Sequence, residues 1–243
     1  MHSRAKHEIE HGKYLAQGNT EQIWGWTTPA GRVRAKRRAT LIADGARLGP
    51  GARVLEIGCG TGMFTEMFAP NGAYIVAVDI SAELLSKARA RNLPEDRVCF
   101  VERRFEDCDV DGPFDAIIGS SILHHLDLRE AFPTIFRLLK PHGIMSFAEP
   151  NMLNPQVWAE RRFRSLFPNV SPDETAFVRW KLTKTLQRAG FRNIDIVPFD
   201  WLHPSVPRSL IGWASAMGRL FEAIPLLREF SGSLYIKAVR PSR

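Results

Sequence analysis

The stretch V-L-E-I-G-C-G-T-G, residues 54–62, constrains this chain more than any other. It joins a short apolar run, the mark of a buried strand, to a helical run that Pro70 stops. Gly58, Gly60 and Gly62 stand in the turn between them. A strand that ends in a glycine turn and opens a helix begins a β-α-β unit, and the chain goes on alternating in the same way. Residues 73–79 (AYIVAVD), 97–102 (RVCFVE), 114–121 (FDAIIGSS) and 143–149 (GIMSFAE) read as further strands, apolar at nearly every position. Helical spacing appears at 81–92, with Ser81 as N-cap and Glu83 in the first turn. It recurs at 128–140, where Leu128, Phe132, Ile135 and Leu139 share a face, Asp127 and Glu130 can form a capping box, and Pro133 points to an irregular first turn.

Strands that lack polar alternation are covered on both faces, which requires a parallel sheet between helical layers. The expected fold class is α/β: a Rossmann-like three-layer sandwich with a mostly parallel seven-stranded sheet, an N-terminal helical cap and a C-terminal insertion. Residues 1–48 are expected to form the cap, ending in a basic amphipathic helix (30–48) and carrying the aromatics Tyr14, Trp24 and Trp26. Residues 49–243 form the main domain, with additions at 150–172 and 200–231, a helix at 173–189, and strands at 191–199 and 232–240.

With 243 residues the chain suits one sizeable domain. Its net charge of +7 favours anionic partners, but the positive residues are scattered and no basic run exceeds Lys36-Arg37-Arg38. Three cysteines, Cys59, Cys99 and Cys108, make neither a disulfide framework nor a zinc motif, so a reduced, cytoplasmic setting is expected. The first residues contain no apolar signal segment, and no run of 18 apolar residues is long enough to span a membrane.

The glycine pattern G-x-G-x-G departs from the dinucleotide fingerprint G-x-G-x-x-G, whose last position is Met63 here, and no G-K-[ST] follows for a nucleotide P-loop. Asp79, at the end of the second strand, is placed to accept hydrogen bonds from a ribose hydroxyl pair. The pattern points to a ribose-bearing cofactor without a pyrophosphate. Four segments in register, 54–62, 77–81 (AVDIS), 114–126 (FDAIIGSSILHHL) and 137–150 (RLLKPHGIMSFAEP), resemble class I S-adenosylmethionine-dependent methyltransferases over roughly residues 50–150. That resemblance implies S-adenosyl-L-methionine as cofactor. It implies that Gly58, Cys59, Gly60 and Gly62 form the loop around its methionine part, and that Glu56 orients its amino group. Asp79 would hold the ribose and Ile80 would pack on the adenine, while Ser120 and Ser121 line the wall near the sulfonium. The family's acidic residue after the third strand is replaced by Arg104, with Phe105 next, so reading of the adenine amino group would pass to Glu106 or Asp107. Cys59 is expected to be a small buried turn residue and not a nucleophile.

Methyl transfer from a sulfonium is an in-line displacement that mainly needs alignment, with a base where the acceptor is a hydroxyl. His125 and His124 are the leading candidates for that base, ahead of His11, His203 and Glu149; packing or capping is the competing role for the histidine pair. A metal centre is not expected, because Asp127 is the only third ligand near the pair. The stretch Ser120-Ser121-Ile122-Leu123 lacks the Pro-Pro-aromatic loop of base methylation, and no RNA-binding signature is present, so nucleic acid is disfavoured. The expected acceptor is a small molecule, apolar or glycosylated, methylated at oxygen. Open beside it stand N- or C-methylation of a lipid-linked, peptide or nucleic-acid substrate, and an inactive cofactor-binding scaffold. Tyr14, Trp24 and Trp26 either close over the cofactor or anchor the cap. Arg161, Arg162 and Arg164 either meet an acidic substrate or line a solvated face. The apolar stretch 200–231 is expected to be a lid, with an oligomer contact or peripheral membrane contact as alternatives; its glycines and prolines argue against one clean surface helix.

Overall fold

In the computed structural model, which describes residues 3–167 and 174–242, the N-terminal segment forms α1 (Ser3–Ala16) and α2 (Thr20–Ile23). The long α3 (Pro29–Ala46) comes next. Then β1 (Arg53–Ile57), α4 (Met63–Phe68), β2 (Tyr74–Asp79), α5 (Ala82–Arg89), β3 (Val98–Glu102) and β4 (Phe114–Ser120) follow in turn. The remainder comprises α6 (Leu128–Leu138), β5 (Leu139–Pro150), α7 (Pro155–Arg162), α8 (Arg179–Arg188), β6 (Arg192–Phe199), α9 (Ile211–Ala223), α10 (Pro225–Arg228) and β7 (Ser233–Val239). The seven strands form one sheet in the order β3-β2-β1-β4-β5-β7-β6. All pairings are parallel except those of β7, which runs antiparallel to β5 and β6.

Side-chain alternation sorts the buried strand residues into two cores, one on each face. Leu55, Ile57, Val76, Val78, Ile117 and Phe147 pack beneath α6 and α8, against Phe132, Ile135 and Leu182. Val54, Ile75, Ala77, Ala116 and Ile118 face α3, α4 and α5, through Ile42, Phe68 and Leu85. The boundary expected at residue 48 therefore falls after a helix of the sandwich: α3 buries Ala39, Ile42, Ala43 and Ala46 on the sheet. Thr28 caps it, accepting a hydrogen bond from Gly31 N at 2.9 Å. The N-terminal cap is α1 and α2 alone.

Several boundaries differ from expectation. The helix expected from 173 begins at Arg179; residues 168–173, including the end of the 150–172 addition, lie outside the described residues. Strand β5 starts at Leu139, where Phe114 pairs with it ahead of an irregularity in register. At α6 only half of the capping box forms. Asp127 accepts from Arg129 N at 3.0 Å, while Glu130 turns to Arg104 (2.9 Å), and Glu106 Oε1 accepts the Asp127 N–H instead at 3.3 Å. In the insertion, α9 runs unbroken through Gly212 and Gly218. Gly218 is buried, and a Cβ there would stand 3.1 Å from that of Trp201, so this glycine seats the helix. Among the described residues no helix is long and apolar enough to cross a membrane.

Candidate active site

The carboxyl ends of β1, β2 and β4 meet where the strand order reverses, the place where an open α/β sheet leaves a crevice for a ligand. A cavity of about 320 Å³ lies there. Its floor is the loop after β1. Gly58 N and Cys59 N donate to Val78 O (2.8 and 3.1 Å), and Gly60 N donates to Asp79 Oδ2 at 2.7 Å. Gly58 (φ 65°) and Gly60 (φ 53°) hold left-handed backbone, which a side chain would strain. A Cβ on Gly58 would also overlap Ile122, and one on Gly60 would stand 3.2 Å from the Trp24 ring.

The roof is α1. Residues 4, 5, 8, 11, 12 and 15 line the cavity, one helical face at spacings of three and four. Close contact sets its position, since a Cβ on Gly12 would stand 2.7 Å from Ser81 Oγ. Trp24 and Trp26 close the side; Trp26 also stands edge-on to Phe64 (5.6 Å) with the Arg34 and Arg38 guanidinium groups over it. Trp26 thus both lines the cavity and anchors the cap, whereas Tyr14 is exposed and outside the lining.

Of the residues singled out in the sequence, Gly58, Cys59, Gly60, Asp79, Ile80, Phe105, Glu106, Ser120, Ser121, His124 and His125 line the cavity. Three do not. Gly62 turns the chain into α4 with φ 73° and lies against Ala88 of α5. Glu56 points to the α3–α5 face, buried behind the loop. Asp107 is 72% exposed and pairs with Arg104 (2.7 Å), so of the two acids after β3 only Glu106 reaches the cavity.

Burial governs the titration of the floor. It pushes the Cys59 thiol well up, which keeps it protonated and unlike a nucleophile. It raises the Asp79 carboxyl too, against the N–H donors of Ser81 and Gly60. Burial lifts Glu56 to about 8, and its Oε2 has no hydrogen-bond partner. Ser120 Oγ is likewise buried and unpartnered. Within the cavity wall, the orphaned Ser120 Oγ and an Asp79 carboxylate fixed by two N–H donors with lone pairs to spare fit a ligand carrying hydroxyl groups such as those of a ribose.

The histidine pair divides. His124 is buried, with Nδ1 2.6 Å from Glu149 Oε2 and Nε2 3.4 Å from Glu174 Oε1. Desolvation lowers its pKa, but the two carboxylates outweigh it and raise the ring to about 9. Glu149 also accepts from Ile122 N and Leu123 N, both at 2.9 Å, and Arg161 pairs with Glu174 at 2.6 Å. Arg164 Nη2 donates to the Glu174 carbonyl at 2.6 Å, so Arg161 and Arg164 clamp this network, while Arg162 stays exposed. Glu149 is thereby fully engaged, and His203 is exposed and outside the lining. His125 instead faces the cavity with Nδ1 3.0 Å from Glu8 Oε2, an ion-pair distance that falls short of hydrogen-bond alignment. His11 lies beside them; burial lowers its pKa and favours the neutral ring.

Sequence reasoning overlooked Glu8, Glu174 and Arg38. Glu8 was visible only through the spacing 4, 8, 11, 15. Where the sequence offers only Asp127 near the histidine pair, the fold brings Glu174 instead: its carboxylate and the two histidines lie within 4.8 Å of one another. Arg38 is buried, lowered to about 10 by desolvation, and donates to Ser121 Oγ (3.0 Å) and Ser233 Oγ (2.9 Å). No residue of 200–231 lines the cavity; the roof belongs to α1, not to the insertion.

Comparison with known proteins agrees with this geometry. A family model described as a methyltransferase domain matches residues 54–143. The chain is 30% identical over 190 residues to an uncharacterized methyltransferase of Synechocystis sp., covering 70% of this chain and 86% of that one. It is 32% identical over 150 residues to the ubiquinone biosynthesis O-methyltransferase of Xanthomonas campestris, covering 60% of this chain and 62% of the relative. It spans 58% and 39% of two other curated relatives. In fold it is similar to the N-methyltransferase NodS of Bradyrhizobium japonicum solved with S-adenosyl-L-homocysteine: TM-score 0.67, 17% identity, 96% of this chain and 98% of that one. With the glycine floor, Asp79 and the seven-stranded sheet in place, the chain belongs to the class I S-adenosylmethionine-dependent methyltransferases.

Proposed function

We propose that this enzyme methylates a small-molecule acceptor at oxygen, and that His125, backed by Glu8, takes the acceptor proton. The carrying observation is the Glu8–His125 pair at 3.0 Å in the cavity wall, bridging the roof helix and the turn after β4. S-adenosylmethionine, when bound, supplies a methyl group on a sulfonium that is already activated, so alignment is the protein's first task. The backbone of Gly58–Gly60 cradles the methionine part. Asp79 holds the ribose. Ile80, Phe105 and Glu106 bound the adenine, and Ser120 lines the wall. A hydroxyl acceptor loses its proton as the new C–O bond forms. His125, with Nδ1–H toward Glu8, presents Nε2 to that proton, and the Glu8 carboxylate stabilises the resulting imidazolium. Apo geometry at such a pair is commonly loose and tightens on substrate. His124, held charged between two carboxylates, has no proton-accepting nitrogen free and serves to fix the turn that presents His125.

A panel of phenols and primary amines, incubated with cofactor deuterated at the methyl and read by mass spectrometry, tests the acceptor atom. Phenols should carry the label. With such a substrate, His125→Asn should lower kcat by about 100-fold or more and remove the acidic limb of the pH profile, leaving S-adenosylhomocysteine affinity unchanged. Label confined to amines, or a loss of less than about tenfold, contradicts the proposal.

A further inference from the structure

The surface made by α9 and α10 has the chemistry of a core turned outward. Trp213 is 68% exposed and Leu226 79%, and Leu220, Ile224, Leu227 and Phe230 are exposed beside them. The helix is seated by its other face, where Gly218 approaches Trp201 and the Trp201 ring meets Phe221 edge-on at 5.3 Å. This apolar face is therefore not the inner side of a loose element; it is what remains outside after the element has packed. Contiguous exposed patches of this kind mark binding surfaces.

Charge decides what it fits. Every acidic side chain of residues 200–231 turns inward onto an arginine of the body: Asp200 to Arg34 (2.8 Å), Glu222 to Arg37 (2.5 Å) and Glu229 to Arg179 (2.7 Å). The exposed Arg208 and Arg219 have no carboxylate partner among the described residues. Where α8 starts at Arg179, the exposed Trp180 and Lys181 extend the same combination. We propose that the outer face of α9 and α10 docks on an anionic lipid surface, its tryptophan and leucines entering the headgroup–acyl boundary while Arg208 and Arg219 meet the lipid phosphates. Helix α9, about 20 Å long at 1.5 Å per residue, would lie along the surface, since nothing in the described chain can span it. A second copy of this chain is the weaker occupant, because a two-fold contact would set the arginine-bearing face against itself.

The surface also joins the acceptor side of the cavity. Pro150 and Glu174 line the cavity, and the neighbouring Asn151 and Asn154 donate to the carbonyls of Glu229, Ser231 and Phe230 at 2.7–2.9 Å. Docking would hold the cavity near a lipid phase from which an apolar acceptor could be drawn.

Sedimentation with vesicles of phosphatidylcholine, with and without phosphatidylglycerol, tests this without any turnover, so its failure is separate from that of the methyl-transfer reading. The full chain should pellet with phosphatidylglycerol vesicles and be released as salt rises. The double substitution Trp213→Glu and Leu226→Glu should lower partitioning by about tenfold or more, and Arg208→Glu with Arg219→Glu should abolish the preference for phosphatidylglycerol. Both variants should keep the wild-type circular dichroism and S-adenosylhomocysteine affinity. Failure to bind phosphatidylglycerol vesicles overturns the proposal. So does a dimer in analytical ultracentrifugation that the Trp213→Glu, Leu226→Glu variant dissolves, which would assign the face to a second copy.

Discussion

His124 and His125 are adjacent in sequence and opposite in environment, and the difference is made by residues far from either. His124 is clamped by Glu149 and Glu174, His125 by Glu8. Because the folded pKa of His124 is raised from 6.5 to about 9, its contribution to stability is complete below pH 6.5 and is lost as pH rises through about 9. Glu174, where desolvation is outweighed by His124 and Arg161, falls to about 2, so its contribution is complete above its ordinary pKa near 4.5 and is lost only as pH falls toward 2. Chemical denaturation from pH 6 to 9.5 should therefore show stability declining, and His124→Gln should flatten that decline. The same variant leaves the buried Glu149 without its cation, while Glu174 keeps Arg161, and should cost about 3–5 kcal/mol at pH 7. An unchanged pH slope in the variant would contradict the assignment. The sequence marked the pair but not its division, because two of the three partners sit on α1 and beyond α7, and no spacing rule links residue 8 or 174 to 124. The floor was easier to read: glycines and Asp79 lie within one β-α-β unit, where local geometry decides position.

At the scale of elements, the N-terminal cap alone roofs the cavity, and the insertion is not the lid that its composition suggested. The apolar 200–231 stretch invited the reading of a lid, yet its polar anchors, Asp200 and Glu222 on Arg34 and Arg37, hold it along α3 instead. The polar N-terminal stretch, with no strong apolar stripe, proves to be the roof, because a helix over a ligand cavity presents Arg4, Glu8 and His11 where a core helix presents leucines. Gly12 is the point at which α1 can be lifted. Gly12→Val puts a branched side chain where even a Cβ stands 2.7 Å from Ser81 Oγ. It should raise KM for the cofactor severalfold or more, while the thermal midpoint of the sandwich stays within a few degrees. A wild-type KM would mean that α1 is not the roof of the working enzyme. The helices of the sandwich were legible from periodicity alone. The start of α8 was not, because nothing before Arg179 supplies a side-chain cap.

For the whole molecule, the parallel body of the sheet follows from the alternation of strands and helices, and the reversal between β1 and β4 places the glycine floor at the crevice. The late antiparallel β7 was legible as a strand, but its direction depends on how the 200–231 segment returns along α3. The two cores unfold together if the sheet is their shared wall. Phe147→Ala, which empties a fully buried site, should lower stability by about 3–5 kcal/mol in a single denaturant transition; two separated transitions would contradict a shared core. All of these features converge on one site, the cavity lined by Gly58, Gly60 and Asp79 that is proposed to hold the cofactor. Calorimetric titration with S-adenosylhomocysteine of the wild type and of Asp79→Ala tests it directly. One site per chain is expected, with affinity at least about tenfold weaker in a variant that keeps the wild-type circular dichroism, since Asp79 fixes the loop through Gly60 and is the residue proposed to accept from the ribose. Equal affinity in the two proteins would contradict it.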